Sequence, residues 1–444
     1  MINTRSSGLR VLLGVPWYFP DSVGGTEIYV RGLARELQAS GVQVAIAAPA
    51  NSLSEQYDHQ GVPVFRFPAQ EGDSGPIDLR RSASSEWVTV LESFQPSIVD
   101  LHSLTSDLEL AHLKAVRRRG IHSMVTLHVP GVVCARGTFM RFGKRPCSGE
   151  LSVEPCTACR LQALGWPRPL GWALSHVPGP VSDLLDSSRV PAGARRAALA
   201  SRRDRDRREW LQQIVEHVDR VVAPSRWLVE ALARNGVPKT KLTLCRQGVD
   251  QAHAQSRVAR VGSGVLRVGF VGRYDPVKGL HVLVDAVMRL SADTPVELHV
   301  WGVARTTADR EYRAHVQQRA NGDPRLVFHE ETADVGHVYR SIDVLAVPSI
   351  WLETGPLVVL EAQAAGLPVV GSDLGGIRER VTNGKDGLLV PFDDPSALGE
   401  AIALLARHPE RLEQLRPSVP PRTTADVARE TLSIYNDVVT GRAA

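Results

Sequence analysis

Long apolar runs are missing from this 444-residue sequence. No stretch approaches the roughly eighteen uninterrupted apolar residues of a membrane span, and the opening Met-Ile-Asn-Thr-Arg-Ser-Ser-Gly has no apolar core of the kind a secretory signal carries. The expected location is therefore the cytoplasm. The first apolar strand, Arg10-Val-Leu-Leu-Gly14, turns into Val-Pro-Trp without Gly-x-Gly-x-x-Gly, which disfavours a dinucleotide-binding dehydrogenase. The most basic run, from Arg195 to Arg208, holds seven arginines against two aspartates but no interleaved aromatic residues and no zinc-finger histidine spacing. Nucleic-acid binding is disfavoured on that ground, and none is expected. The composition is not that of a disordered chain: 43% of residues are hydrophobic, 23% are charged and the net charge is +4. A chain of this length can bury two α/β cores of about two hundred residues each.

What is present is strand and helix in alternation. Apolar segments near residues 10–14, 42–47, 62–67, 97–101 and 122–127 alternate with helical patterns near 26–39, 84–94 and 107–118. The style repeats from Val268, with strands near 296–300, 326–328, 344–347, 368–370 and 387–390. Such order predicts parallel sheets whose ligands gather at the carboxyl ends of the strands. The aperiodic stretch between Val249 and Gly264 marks the changeover between two domains, over residues 1–250 and 264–424, and a last helical pattern covers 425–439.

The chemistry concentrates in Glu353-Thr-Gly-Pro-Leu-Val-Val-Leu-Glu361, followed by Ala-Gln-Ala-Ala-Gly366. Gly355 and Pro356 mark a helix start, because proline at the first helical position gives up only an amide that had no partner. The apolar run behind it reads as a helix buried on nearly every side. Glu361, one turn inside, must meet either a cation or the hydroxyls of a ligand, and the free amides of Leu357 and Val358 invite an anion. Hydroxyls beside a phosphate describe a nucleotide; a structural ion pair between layers is the competing explanation. About eighty residues upstream, the strand Val268-Gly-Phe-Val-Gly272 ends before Arg273 and Lys278, cations suited to the charge that develops on a diphosphate leaving group without help from a metal.

These segments resemble retaining glycosyltransferase family 4 over most of the chain, together with Val344-Leu-Ala-Val-Pro-Ser349, Pro368-Val-Val-Gly-Ser-Asp-Leu-Gly-Gly-Ile-Arg-Glu379 and Asn383-Gly-Lys-Asp-Gly-Leu-Leu-Val390. The resemblance implies GT-B architecture, two Rossmann-like domains facing across a cleft, with the final helix returning to the first. It implies transfer of a sugar from a UDP-, GDP- or ADP-sugar donor to an acceptor hydroxyl in polysaccharide, glycolipid or glycoconjugate synthesis. In such enzymes the leaving phosphate takes the acceptor proton, so neither a protein base nor a metal is required. Carried over residue by residue, Arg273 and Lys278 face the diphosphate, Glu361 the ribose and Glu353 the donor sugar. Leu357 and Val358 complete the phosphate cradle behind Gly355. Gly24 and Gly25 match the glycine-rich loop that faces donor and acceptor, and His128 matches the active-site histidine that contacts the donor sugar; a tight turn and a strand-capping histidine are the plain alternatives. Phe328-His-Glu330 departs from the pattern, where a glycine would follow the strand, and puts base recognition there in doubt. A GT-B epimerase or phosphorylase would share the fold, and a non-enzymatic scaffold stapled by zinc would keep the domains without releasing nucleotide.

Four cysteines, Cys134, Cys147, Cys156 and Cys159, fall in an insertion after His128, over residues 129–210, and Cys245 stands apart on an apolar strand. A Cys-x2-Cys half-site suits tetrahedral zinc, although twelve residues separate the first two cysteines. An iron–sulfur cluster, disulfides and free thiols are the alternatives. The arginine run beyond the insertion is either a solvated helix face or a contact with anionic headgroups, which would suit peripheral membrane attachment and a lipid-linked acceptor.

Overall fold

The computed structural model describes residues 8–22, 24–50, 55–69, 79, 82–176, 192–250, 264–332, 334–418 and 420–442. The stretch 251–263, expected at the domain changeover, lies outside the described residues, as do the side chains of 192–199 in the arginine run. The chain divides into two compact units. Unit 1 comprises Met1–Arg246 with Ala425–Ala444, and unit 2 comprises Gln247–Thr424.

Unit 1 is built on strands β1 (Arg10–Gly14), β2 (Gln43–Ala50), β3 (Gln56–His59), β4 (Val62–Pro68), β5 (Ile98–His102), β6 (His122–Thr126), β9 (Arg220–Ala223) and β10 (Leu242–Leu244), with a small hairpin of β7 (Met140–Arg141) and β8 (Arg145–Pro146). The large sheet runs β10-β9-β6-β5-β1-β2-β4-β3 and is parallel except where β3 pairs antiparallel with β4. Continuous apolar runs such as Val11-Leu-Leu are buried on both faces, as strands covered by helices on either side require. The helix Gly25–Ala39 turns Tyr29, Val30, Leu33 and Leu37 inward at helical spacing. The C-terminal helix Thr424–Thr440 adds Val427, Ile434, Tyr435 and Val438 to the same core as Val11, Leu13 and Leu33.

Unit 2 carries β11 (Leu266–Arg273), β12 (Val296–Val303), β13 (Leu326–His329), β14 (Val344–Val347), β15 (Val369–Ser372) and β16 (Gly387–Val390) in the all-parallel order β13-β12-β11-β14-β15-β16. In both sheets the order reverses beside the first strand, between β5 and β1 in unit 1 and between β11 and β14 in unit 2. Such switch points are where the loops at the carboxyl ends diverge and leave room for a ligand.

Three local expectations change. The strand β3 was not anticipated, because Gln-Tyr-Asp-His is a short polar edge stretch with a single half-buried aromatic. The helix expected from Asp107 starts at Leu110, behind an N-cap at Glu109. Cys245 lies one residue past β10 and not within it, buried in the core of unit 1.

Candidate functional site

In unit 2 the switch point collects the residues singled out in the sequence. Asp275 caps the short 3-10 helix Pro276–Lys278 by accepting from the Val277 amide, and the Ile350 amide donates to the Val277 carbonyl at 2.9 Å, tying the loop after β11 to the loop after β14. Gly279 ends this turn at φ +72, and a Cβ there would come within 1.9 Å of the Pro348 carbonyl oxygen. Lys278 is thereby held over Glu353. Its Nζ donates to Glu353 Oε1 at 2.7 Å, the Ser349 hydroxyl donates to the same oxygen at 2.8 Å, and the ammonium stands 5.4 Å from the centre of the Trp351 ring. Glu353 is buried while Lys278 keeps a quarter of its side chain open. Gly375, at φ +50, and Gly376 press the start of the helix Gly375–Arg380 onto the Glu353 main chain, where the Gly376 amide donates to the Glu353 carbonyl at 2.7 Å. Arg273 is more exposed and pairs with Asp275 at 3.1 Å.

One expectation about the next helix, Leu357–Ala364, is corrected. It is not buried on nearly every side: Val359, Leu360 and Ala362 are buried, whereas Leu357, Val358 and Glu361, which share one face across the first turn, remain half-open. Glu361 accepts from the Tyr339 hydroxyl at 2.6 Å and stays half-open. Tyr339 comes from another helix, so no local spacing announced it. Burial and the Glu361 carboxylate together hold the Tyr339 phenol well above its ordinary range. Gly355 packs against Gln247, whose side-chain oxygen would lie 2.0 Å from an added Cβ.

At the ends of β12 and β13, His299, Trp301 and His329 form an aromatic ladder. Trp301 is in register with His329, their rings 4.2 Å apart and nearly coplanar in orientation at 5°, and His299 Nδ1 lies 2.9 Å from His329 Nε2. Burial holds the His329 ring below its usual range, assisted by His299 and His337. The alternation His299-x-Trp301 along one strand was the available signal for this ladder, because residues two apart share a face. It stands where Phe328-His-Glu330 departs from the family pattern.

In unit 1 the glycine-rich loop and His128 also come to the carboxyl ends of strands. Gly24 caps the helix Gly25–Ala39 in an extended conformation, with its carbonyl accepting from the Ile28 amide, and lies beside the buried Glu27, which accepts from Ser22 at 2.5 Å. His128 is buried, its Nε2 2.9 Å from His102 Nδ1, with the edge of Tyr29 4.7 Å from its ring centre. His102 Nε2 stands 3.5 Å from Asp100, which accepts from Thr126 at 2.9 Å and from the Tyr435 hydroxyl at 2.9 Å. Burial dominates every group. It pushes Asp100 up to about 7 and His102 down to about 3, and it holds His128 well below its usual range with help from His102. His128 is therefore a neutral ring near pH 7, fit to give or take a hydrogen bond but not to carry a charge. At the His102 Nδ1–His128 Nε2 contact one neutral ring donates and the other accepts. Asp100, His102 and Tyr435 were not foreseen, since they come from β5 and from the C-terminal helix, two elements far apart in sequence.

A cavity of about 460 Å³ in unit 1 is lined by Trp17, Tyr18, Asp21, Ser22, Arg66 and Asp107 among others. Arg66 is buried there, donating to the carbonyls of Tyr18, Phe19 and Pro49 and to Asp21 at 2.9 Å. Trp17 leaves about half its surface exposed.

The four clustered cysteines line one cavity. All five cysteines are free, and among the described residues no three His, Cys, Asp or Glu side chains are placed to hold a metal ion. Of the arginine run, Arg207 is turned inward together with Asp204, so the helix Ala192–His217 is not simply a solvated basic face. Among the described residues no helix is long and apolar enough to cross a membrane.

Two parallel α/β units, each gathering polar side chains at its strand-order reversal, define the GT-B class. The glycosyl transferase 4-like domain matches residues 24–248 and the glycosyl transferases group 1 family matches residues 266–408, so the chain belongs to this glycosyltransferase family. It is 31% identical over 242 residues to a D-inositol 3-phosphate glycosyltransferase of Corynebacterium glutamicum, covering 52% of this chain and 56% of that protein. It is 34% identical over 211 residues to a phosphatidyl-myo-inositol mannosyltransferase of Mycobacterium leprae, covering 45% and 52%. The chain thus spans about half the length of the curated relatives it matches. Among solved structures, sucrose-phosphate synthase from Thermosynechococcus elongatus aligns over 98% of this chain and all of its own, with TM-score 0.65 and 19% identity. HepE from Anabaena, crystallised with UDP, aligns over 98% and 97% with TM-score 0.60 and 15% identity. At these identities the two structures share the fold.

Proposed function

We propose that the chain is a retaining glycosyltransferase: unit 2 takes the donor's nucleoside diphosphate and unit 1 the acceptor. The observation that carries the reading is the Ser349–Glu353–Lys278 knot at the switch point of unit 2, next to the open amide end of the helix Leu357–Ala364. An ammonium has three protons, and only one is directed at Glu353, so Lys278 can also meet a phosphate oxygen. Arg273 adds a second, more exposed cation, and the Leu357 and Val358 amides add neutral donors where negative charge grows. The bond from the sugar's anomeric carbon to the diphosphate breaks, a bond to the acceptor oxygen forms on the same face, and the acceptor proton passes to the leaving phosphate. The charge to be stabilised is that of the diphosphate, so Arg273 and Lys278 carry this step without a metal. His128, neutral and hydrogen-bonded to His102, suits a contact with a donor-sugar hydroxyl, for which a charged ring has no need.

The Trp17 pocket suits a hydroxyl-rich acceptor. Asp21 and Asp107 supply acceptors for its hydroxyls, and Trp17 offers an apolar face. The two mannosyl- and glycosyltransferase relatives, named for inositol-containing acceptors, lend the same reading support. Exposed Leu164, Leu170 and Trp172, at or next to helices that pack on the helix Ala192–His217 bearing half-open Arg202 and Arg203, favour a lipid-linked form of that acceptor, met from the cytoplasmic face of a membrane. The test is a matrix of UDP-, GDP- and ADP-sugars against inositol phosphate and phosphatidylinositol, read as nucleoside diphosphate release. The expected result is release that depends on one donor and one acceptor together. Release without acceptor, or a requirement for inorganic phosphate, would overturn the transferase reading.

A further inference from the structure

The insertion of unit 1 turns an apolar helix face to the outside. Its helices Val153–Ala163 and Arg168–Ser175 pack against each other and against the helix Ala192–His217. Leu161 and Ala200 form a small core there, with Trp166 and Leu174 against it. The helix Arg168–Ser175 buries Gly171 and Ser175, one turn apart, and a Cβ on Gly171 would stand 3.4 Å from the Ala158 carbonyl oxygen, so this face is the inner one. The opposite face of such a helix ordinarily carries charge. Here it carries Pro169, Leu170, Trp172 and Ala173, all exposed, and the turn before it adds exposed Ala163, Leu164 and Pro167. Trp172 leaves 61% of its surface open, Leu164 59% and Leu170 43%. Among the described residues six large apolar side chains are exposed, and these three fall within nine positions. Scattered exposed apolar residues are ordinary, whereas a contiguous group marks a contact.

The charge beside this face is mostly of one sign. The β7–β8 hairpin lies against the start of the helix Arg168–Ser175: the Arg168 guanidinium stands 4.6 Å, and that of Arg141 5.9 Å, from the centre of the Phe142 ring. Arg141, Lys144, Arg145 and Arg168 are exposed, and neither residues 131–149 nor residues 155–176 include an aspartate or a glutamate. Glu150 and Glu154 lie between the two stretches, and Glu154 Oε1 is 3.6 Å from His176 Nε2 at the end of the helix. The arginine run of the helix Ala192–His217 is less free, since Arg207 is buried and Arg202 pairs with Asp206 at 3.7 Å.

Apolar side chains that include a tryptophan, rimmed by lysine and arginine, match the boundary between headgroups and acyl chains of an anionic bilayer. Leucine and tryptophan enter the edge of the acyl layer while the cations stay with the phosphates. A second copy of this chain fits less well, because a twofold contact through this face would set four cations against their own copies. We propose that the helix Arg168–Ser175, the turn before it and the β7–β8 hairpin form the surface by which the protein docks on an anionic phospholipid membrane. The use of this docking rests on the lipid-linked reading of the acceptor, a molecule held in that same membrane.

The test is flotation of the full chain, without sugar donor, on vesicles of phosphatidylcholine and phosphatidylglycerol in equal parts and on vesicles of phosphatidylcholine alone. Binding is expected on the first, weakening as salt rises, and much less on the second. Leu170→Ser and Trp172→Ser are each expected to weaken it about tenfold, the loss of one partly inserted side chain. Lys144→Gln and Arg145→Gln are each expected to weaken it about fivefold. Should a variant fail to fold, the wild-type protein still decides: anionic vesicles are expected to protect the peptide bonds after Arg141 and Lys144 from trypsin. No binding to anionic vesicles, binding that all four substitutions leave unchanged, cleavage that vesicles do not slow, or a wild-type dimer that Leu170→Ser or Trp172→Ser returns to monomer would overturn the proposal. Vesicle binding without transfer to phosphatidylinositol in the same vesicles would uphold the docking and overturn the lipid-linked reading of the acceptor; transfer without binding would do the reverse.

Discussion

The two units solve one problem in opposite ways. Both bring polar side chains to the reversal point of a parallel sheet. In unit 1 the group is Asp100, His102 and His128, sealed among Tyr29, Thr126 and Tyr435, and burial keeps the rings neutral. In unit 2 it is Lys278, Glu353 and Ser349, an ion pair and a hydroxyl joined at one carboxylate oxygen and left partly open at Lys278. A neutral polar chain suits recognition of hydroxyls, which need donors and acceptors in fixed directions. A charged, accessible one suits a diphosphate, which needs compensation that grows during the reaction. The glycines differ in the same sense: Gly279 is locked against a carbonyl, whereas Gly24 lies against a side chain that can turn away.

The largest expected effect breaks the charged site. Lys278→Ala should lower kcat by about a hundred- to a thousandfold, the usual loss when one preorganised partner of a developing anion is removed, with a smaller change in KM. Steady-state nucleoside diphosphate release checks it, and an effect confined to KM would reduce Lys278 to a binding contact.

Next comes the backbone that aims Lys278. Gly279→Ala should cost about 2–4 kcal/mol, combining left-handed strain with a clash against the Pro348 carbonyl. Urea unfolding of unit 2 reads this, and wild-type stability would show that the turn relaxes freely.

The pH dependence of unit 1 sharpens the contrast. His102 and His128 are depressed in the folded state, so their stability is present above the ordinary histidine value of 6.5 and is lost as pH falls below it. Asp100 is raised from 3.8 to about 7, so its stability is full below 3.8 and is lost as pH rises through about 7. Between pH 4 and 6.5 the two histidines oppose the one aspartate. The unfolded chain then binds one more proton from this cluster, and stability should rise by about 1.4 kcal/mol per pH unit. His102→Gln should flatten that slope and Asp100→Asn should steepen it, as measured by urea midpoints from pH 4.5 to 6.5. Unchanged slopes in both variants would show that these groups titrate normally.

The smallest effect is expected at Gly24. Its extended backbone accepts any residue, and the nearest atom to an added Cβ is the Glu27 carboxylate at 2.9 Å, the end of a flexible side chain. Gly24→Ala should shift stability by less than about 1 kcal/mol. A much larger loss of melting temperature would mean that the Ser22–Glu27 bond cannot yield.

Period and punctuation carried the fold. Continuous apolar strands between amphipathic helices gave two parallel α/β units, because strands covered on both faces need no polar alternation. The family motifs pointed to Lys278 and Glu353, which the fold joins at 2.7 Å. Their separation in sequence is bridged by the strand order, since β11 and β14 are neighbours. The exposed face of the helix Leu357–Ala364 was misread because an apolar run reports hydrophobicity, not which neighbours are present to cover it.

By itself the sequence determined the two α/β units, the family and the clustering of cysteines, all of which rest on local periodicity or on residue identities at short spacing. Only the tertiary structure decided that Glu361 meets Tyr339, that Asp100 and Tyr435 stand behind His102 and His128, and that buried Asp204 faces Arg160 and Arg207. Those partners come from elements far apart in the chain. Which buried polar group finds which partner is set by how the elements pack, because burial forces each group to be satisfied without specifying by whom.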